Sequence, residues 1–373
     1  MQRRTVVRTL GGVATTGVAG LAGCLLPDDD TNGPDDDPEP DEPNHDETLR
    51  IVTYRSMVGG PNPAGPWLAE AFEERYPDAE LEWVVPEAGS EHYVQRGEHG
   101  GEIDADVWLG VTVGDLARID DRVGEGALLR ELNLDRIDGA DRVRDELAFE
   151  DPHGRALAYD AGYVSLVYDE TELEAPGSFD ELRDEYADAL LAQHPIYSMP
   201  GQAMLLWTIE TGGPDDAMGY WEELVANGVE LHDSWTGAYD AYLDGERPLV
   251  VSYSTDPVFA AAAEYDPQRH RVAFLDDEGY VLPEGIGIFQ AATAVDLAYE
   301  FLEFLLSSAV QAELARRNVQ FPAVAGVDLD PAFDIAREPQ TPVAMSYTEL
   351  RNNATEWLTE WADRFDEGPG ETV

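Results

Sequence analysis

LRIVTYRSMVGGPNPAGPWLAEAFEERYPDAELEWVV, residues 49–85, is the stretch on which the fold rests. Leu49-Arg50-Ile51-Val52-Thr53-Tyr54 is a short β-type run. Pro66 to Tyr76 (PWLAEAFEERY) follows with apolar residues at helical spacing and a proline at its start, and Glu80 to Val85 (ELEWVV) reads as a second strand. Ala105 to Leu109 (ADVWL), closed by Gly110, adds a third. Strands that alternate with amphipathic helices make crossover units, so the class is α/β, with a parallel sheet expected.

The alternation continues outward. Val164 to Tyr168 (VSLVY) and Pro248 to Tyr253 (PLVVSY) read as strands, and Gly287 to Phe289 as a further piece of sheet. Helices are expected near Phe179 to Tyr186, Gln202 to Thr211, Asp215 to Asn227, Tyr239 to Leu243, Thr293 to Ser307 and Tyr347 to Phe365. Ligands of open α/β sheets bind beyond the carboxyl ends of strands. That singles out Tyr54-Arg55-Ser56, Pro86-Glu87-Ala88-Gly89, Gly110-Val111-Thr112 and Tyr253-Ser254-Thr255, which would face one another across a cleft between two sheets.

Charge narrows the partners. The 373 residues carry 77 Asp and Glu against 23 basic residues, a formal net charge of −54, and every basic residue is arginine. Such a surface cannot neutralise phosphates, which excludes nucleic acid, and it cannot dock to an anionic membrane through its own charge. In molar salt the Debye length falls to about 3 Å and self-repulsion is screened. The composition therefore matches that of extreme halophiles, while 43% hydrophobic residues with 8 Trp, 16 Tyr and 11 Phe exclude a disordered acidic chain.

The amino terminus reads as an address. Residues 1–23 pair Arg3 and Arg4 with a short Gly/Ala/Thr-rich run, the form of a twin-arginine export signal, too short to span a bilayer. Leu21-Ala22-Gly23-Cys24 has the form of a lipobox, so Cys24, the one cysteine, is expected to carry lipid after cleavage and to anchor the mature chain outside the membrane. Residues 24–47, rich in Asp, Glu and Pro, read as an extended linker.

Catalytic signatures are missing. There is no HExxH, no GxSxG elbow and, without lysine, no Walker-type phosphate loop. His92 and His99 flank what reads as a Gly-rich acidic loop, where solvated side chains are expected rather than metal ligands. No metal and no cofactor is expected, and the chain does not read as an enzyme. Two loop-to-helix entries stand out instead. Ser198-Met199-Pro200-Gly201 reads first as a helix cap and second as an anion site, and Asp233-Ser234-Trp235-Thr236-Gly237-Ala238-Tyr239 brings a tryptophan to a helix start.

Joined together, these pieces resemble the thiamine-binding periplasmic proteins that serve ABC importers. The likeness runs through Val52-Thr53-Tyr54-Arg55-Ser56, Ala105-Asp106-Val107-Trp108-Leu109-Gly110, Ala161-Gly162-Tyr163 and Ser198-Met199-Pro200-Gly201. It continues through Trp235-Thr236-Gly237-Ala238-Tyr239, Leu249 to Pro257 (LVVSYSTDP) and Phe321-Pro322, covering about residues 48–365. The resemblance implies the type II periplasmic-binding-protein fold, with lobe one at residues 48–158 and 280–373, lobe two at 159–279, and hinge strands between. It implies a haloarchaeal-type lipoprotein, monomeric, that captures thiamine or a related cationic heteroaromatic and delivers it to an ABC permease and its ATPase. By the same resemblance Tyr54, Ser56, Glu87, Ser198, Trp235, Tyr253, Thr255 and Phe259 would hold the ligand. Glu87-Ala88-Gly89 stands where the family has Glu-Asp-Gly, so Glu87 would supply the acid; Val319 and Phe259 replace a family Trp and Tyr. Ferric iron is the nearest other ligand, disfavoured because no Tyr-Tyr pair occurs, and a polyamine would use carboxylates with aromatic walls in the same cleft. A secreted hydrolase using Glu87 or Asp160 is the rival from another class, and a ligand-free surface scaffold a third.

Overall fold

The computed structural model describes residues 48–59 and 62–365; the export signal, Cys24 and the acidic linker lie outside the described residues. The strands are β1 (Thr48–Val52), β2 (Glu80–Val84), β3 (Val107–Val111), β4 (Leu157–Tyr168), β5 (Leu190–Gln193), β6 (Glu230–His232), β7 (Leu249–Tyr253), β8 (Arg271–Ala273), β9 (Glu278–Ile288), β10 (Phe321–Pro322) and β11 (Thr341–Val343). The helices are α1 (Arg55–Val58), α2 (Ala64–Arg75), α3 (Glu91–Glu98), α4 (Val113–Arg122), α5 (Phe179–Glu185), α6 (Met199–Gly212), α7 (Pro214–Ala226), α8 (Trp235–Leu243), α9 (Asp256–Ala262), α10 (Val295–Leu305), α11 (Ser308–Asn318) and α12 (Tyr347–Phe365).

The α/β class is as expected, but the sheet is mixed and continuous. Its order is β2-β1-β3-β9-β4-β7-β5-β6. β1 pairs in parallel with β2 and β3, and β5 pairs in parallel with β6 and β7. Between these two parallel sets run β9 and β4, each antiparallel to its neighbours in that order, while β11 adds to β9 in parallel off the main path. The parallel sets therefore stand as the two ends of one curled sheet rather than as two separate sheets, because the long strands β4 and β9 belong to both.

Both faces of the inner strands are covered, which is why they read as near-continuous apolar runs. Leu49, Ile51, Val107, Leu109, Ile286 and Ile288 point to one cluster with Leu68 and Phe72 of α2 and Phe301 of α10. Val52, Trp108 and Val111 point to the other, which also takes Leu166, Leu190, Val251 and Trp207 from the far side of the sheet. This second cluster thus continues from one set of strands to the other.

Local details depart from the sequence expectation for physical reasons. β3 does not stop at Gly110: the strand runs through it at φ 99°, with a register shift against β9 between Leu109 and Val111. A side chain there would meet the Tyr54 ring at 2.7 Å, so glycine is required both by conformation and by the close approach. Residues 91–98 form helix α3 rather than a loop. Tyr93 and Val94 are fully buried, and Arg122 of α4 bonds both Glu91 and Glu98 on its outer side. The first long helix starts at Ala64, so Pro66 lies inside its first turn, where a missing N–H costs nothing.

Candidate functional site

A cavity of about 750 Å3 opens between the two ends of the sheet. β1 delivers Thr53 and Tyr54 to it, the β2–α3 loop delivers Glu87 to Ser90, β3 delivers Trp108 and Gly110, and α4 delivers Asp115 and Arg118. The opposite wall is the β5–α6 connection, Pro195 to Met199 with Gln202, and the third side is α12. The carboxyl ends of β1, β2, β3 and β5 therefore meet at one place, as the strand-end rule requires.

The walls are aromatic and acidic. Tyr197 is 59% exposed, stacked on His194 at 4.5 Å, and Ile196 and Met199 beside it are also exposed. These are large apolar side chains with no core to fill, placed on a cavity lip. Of the two lining guanidiniums, Arg118 bonds Ser90 and pairs with Asp115, while Arg351 pairs with Asp121. Glu91 is held below the usual carboxylate range: burial opposes this, but the bonds from Arg122 outweigh it. Glu87 is exposed and has no ion pair among the described residues, so the cavity carries an unbalanced negative charge.

The buried hydroxyls of Thr53 and Ser198 also line it, and neither has a hydrogen-bond partner among the described residues. Ser198 stands at the N-cap of α6, yet its Oγ caps nothing, which corrects the capping expectation; it is free to bond a ligand. Ser234, by contrast, does cap α8, accepting from the Gly237 N–H at 3.1 Å.

Of the residues singled out from sequence, Tyr54, Glu87 and Ser198 line this cavity together. Ser56 is exposed on α1. Trp235, Tyr253 and Phe259 form a neighbouring aromatic group around Tyr239: Trp235 stacks on Tyr239 at 4.8 Å and donates to Ser252 Oγ at 3.1 Å, and Phe259 meets Tyr239 edge-on at 5.9 Å. Thr255 is buried at the start of α9. Trp108, Tyr197, Gln202 and the α12 residues Leu350, Arg351, Ala354 and Leu358 are lining residues that sequence reasoning did not single out. Tyr197 sat in plain view beside Ser198; the α12 residues carried no signal of their role, because their helix arrives from the far end of the chain.

Beneath Tyr54 lies a polar floor. Its hydroxyl is 3.3 Å from that of Tyr159 and accepts from Asn318 Nδ2 at 3.0 Å. Tyr159 donates to Glu284 Oε2 at 2.6 Å, and Asn318 Nδ2 also donates to Asp160 Oδ2 at 2.7 Å. Burial, reinforced by these two carboxylates, pushes the Tyr54 and Tyr253 hydroxyls up from their ordinary range, so both stay protonated donors.

Residues 67–342 match the bacterial extracellular solute-binding protein family. The chain belongs to that family. This solute-binding protein is 29% identical over 315 residues to the thiamine-binding periplasmic protein of Escherichia coli K12, a match that covers 84% of this chain and 92% of the relative. Its structure is similar to that of a periplasmic thiamin binding protein, with a TM-score of 0.72 and 28% identity over 85% of this chain and 95% of the other. It is also similar to a ferric binding protein from Campylobacter jejuni, with a TM-score of 0.69 at 15% identity over 84% of this chain and 98% of that one, a likeness of fold alone. The solved neighbours are type II periplasmic binding proteins, as the resemblance implied. Among the described residues no helix is long and apolar enough to cross a membrane.

Proposed function

We propose that this solute-binding protein captures thiamine, or a closely related cationic heteroaromatic, outside the cell and hands it unchanged to an ABC permease and its ATPase. One observation carries the reading: the cavity joins aromatic walls (Tyr54, Trp108, Tyr197) to an unpaired carboxylate, Glu87. Thiamine is a cation with two aromatic rings, and such a ligand is held by ring faces and by a carboxylate for its charge and amino group. The curated relatives that bind thiamine align with nearly the whole folded part, which supports the same choice.

Residues 48–158 with 280–373 act as one lobe and residues 159–279 as the other. They close about β4 and β9, bringing the Trp235, Tyr253, Thr255 and Phe259 side towards Tyr54, Ser56 and Glu87. The protein works as a monomer, exported through the twin-arginine pathway and tethered by lipid on Cys24, with residues 24–47 as a spacer. The acidic surface suits molar salt.

The test is calorimetric titration of residues 24–373 in molar potassium chloride with thiamine and thiamine monophosphate, and with ferric citrate and spermidine as comparisons. Saturable sub-micromolar binding of thiamine is the expected result. Binding of ferric citrate or spermidine with thiamine silent would move the assignment to those ligands. In cells, Cys24→Ser should release the protein from the membrane, read by fractionation.

A further inference from the structure

Asp160 and Glu284 stand opposite each other in register on β4 and β9, the two strands shared by both ends of the sheet. They are 1% and 6% exposed, and neither has an arginine or histidine partner among the described residues. Two buried carboxylates side by side without a cation is an arrangement a fold avoids unless something else supplies the charge. The groups that face them are Tyr54 at the end of β1, Tyr159 on β4, Tyr253 on β7, Asn318 at the end of α11 and Gln320 before β10.

These partners differ for the two acids. Glu284 accepts a short bond from Tyr159, which stabilises its ionised form, whereas Asp160 receives Asn318 on Oδ2 and leaves Oδ1 with no partner. A second acceptor is orphaned on the same strand face: Gln320 Oε1, on a residue 8% exposed, lies over Gly162, 2.6 Å from where a Cβ would stand, and has no donor. The floor thus holds more acceptors than donors, and it lies directly behind the cavity. A Cβ on Gly110, which lines the cavity, would stand 4.0 Å from Glu284 Oε2.

We propose that Asp160 and Glu284 are the charge-sensing floor of this cavity: acting through Tyr54 and Asn318, they stabilise a cationic ligand and give up a proton to solvent when it binds. The proposal rests on the cation-binding reading above. In the empty protein the proton sits on Asp160 Oδ1, the oxygen without a donor. A cation enters and a proton leaves, so the buried charge is the same before and after. Burial raises both acids above the ordinary carboxylate range, and the charge of Glu284 raises Asp160 further. Because they reach the ligand through other side chains, both are positioning residues.

The experiment is thiamine titration from pH 5.5 to 8.5, in two buffers of different protonation enthalpy, on wild type, Asp160→Asn and Glu284→Gln. Wild-type affinity should tighten with rising pH, at up to tenfold per pH unit where the pair still holds its proton in the free protein. The heat should differ between buffers by up to one proton released. Asp160→Asn should bind at least tenfold more weakly at pH 7.5, lose the pH slope, and bind a neutral aminopyrimidine fragment as wild type does. Thiamine affinity that is flat with pH and equal in Asp160→Asn overturns the proposal while leaving the thiamine assignment intact.

Should wild type take up no thiamine, the functional reading fails by itself. The floor is then decided by the same titrations with spermidine and by the ligand-free protein. There, acids raised on folding make stability fall as pH climbs from the unfolded carboxylate range towards the folded values, and remove no further stability above them. Urea unfolding should show that fall in wild type and a shallower one in Asp160→Asn. Equal slopes in the two proteins, or spermidine binding without proton release, overturn the proposal.

Discussion

Arg155 shows what single residues contribute. Its guanidinium has no solvent exposure and is held by Asp120 Oδ1 at 2.6 Å and Asp151 Oδ2 at 2.9 Å, while the Tyr347 hydroxyl donates to Asp120 from α12. Arg155→Ala takes the guanidinium from two buried carboxylates and should cost about 3–5 kcal/mol, read by urea unfolding in molar salt. Tyr197 is the opposite case. Being 59% exposed, it supports little of the fold, so Tyr197→Ala should leave the melting temperature unchanged. The same change should weaken thiamine binding about tenfold, the size of one aromatic contact, read by calorimetry. Neither role was legible in the sequence. Arg155 and Tyr197 each sit in a local context that serves equally for a solvated and for a buried or ligand-facing side chain, and what decides between them is chain that returns from 35 residues away (Asp120) or from across the sheet.

At the scale of elements, α12 ties the two ends of the sheet together along the cavity. Its first turn reaches Asp120 through Tyr347, Arg351 pairs with Asp121 of α4, and Trp361 is buried against Trp221 of α7 at 5.8 Å and His194 at 4.6 Å. Trp361→Ala should destabilise by about 3–5 kcal/mol, measured by thermal and urea unfolding. It should also alter ligand affinity, since the same helix supplies a cavity wall. The helix itself was legible, with matching ends at Tyr347 and Phe365, because its apolar residues keep a helical period across its whole length. By contrast α3, α4 and α11 were passed over: charged and polar residues fill at least half of each, and the apolar stripe on the inner side is short and interrupted. The long strands β4 and β9 were read only in part, because Asp160, Gly162, Glu284 and Gly285 interrupt the apolar pattern at the point where the strands pair beneath the cavity.

For the whole molecule, net charge sets the conditions of stability. With −54 formal charges, self-repulsion is relieved only as salt shortens the Debye length towards 3 Å. Raising potassium chloride from 0.1 to 3 M should therefore raise the melting temperature steadily, by about 2 °C for each kcal/mol of repulsion removed. Calorimetry at several salt concentrations reads it, and a salt-independent melting temperature would contradict it. Composition by itself gives the charge behind this expectation, as local periodicity determined the α/β class and as the order of motifs determined the family resemblance, since each depends on residues near one another in the chain or on their sum. The tertiary structure alone decided that the sheet is continuous through β4 and β9, and that α12 closes one side of the cavity. It alone decided that Tyr197 and α12 join the expected Tyr54, Glu87 and Ser198 at a single cavity, and that Asp160 faces Glu284 without a cation. Most of these are encounters between segments more than a hundred residues apart, and nothing local records them: the same aspartate is a solvated surface charge in this acidic sequence until a distant strand is laid against it.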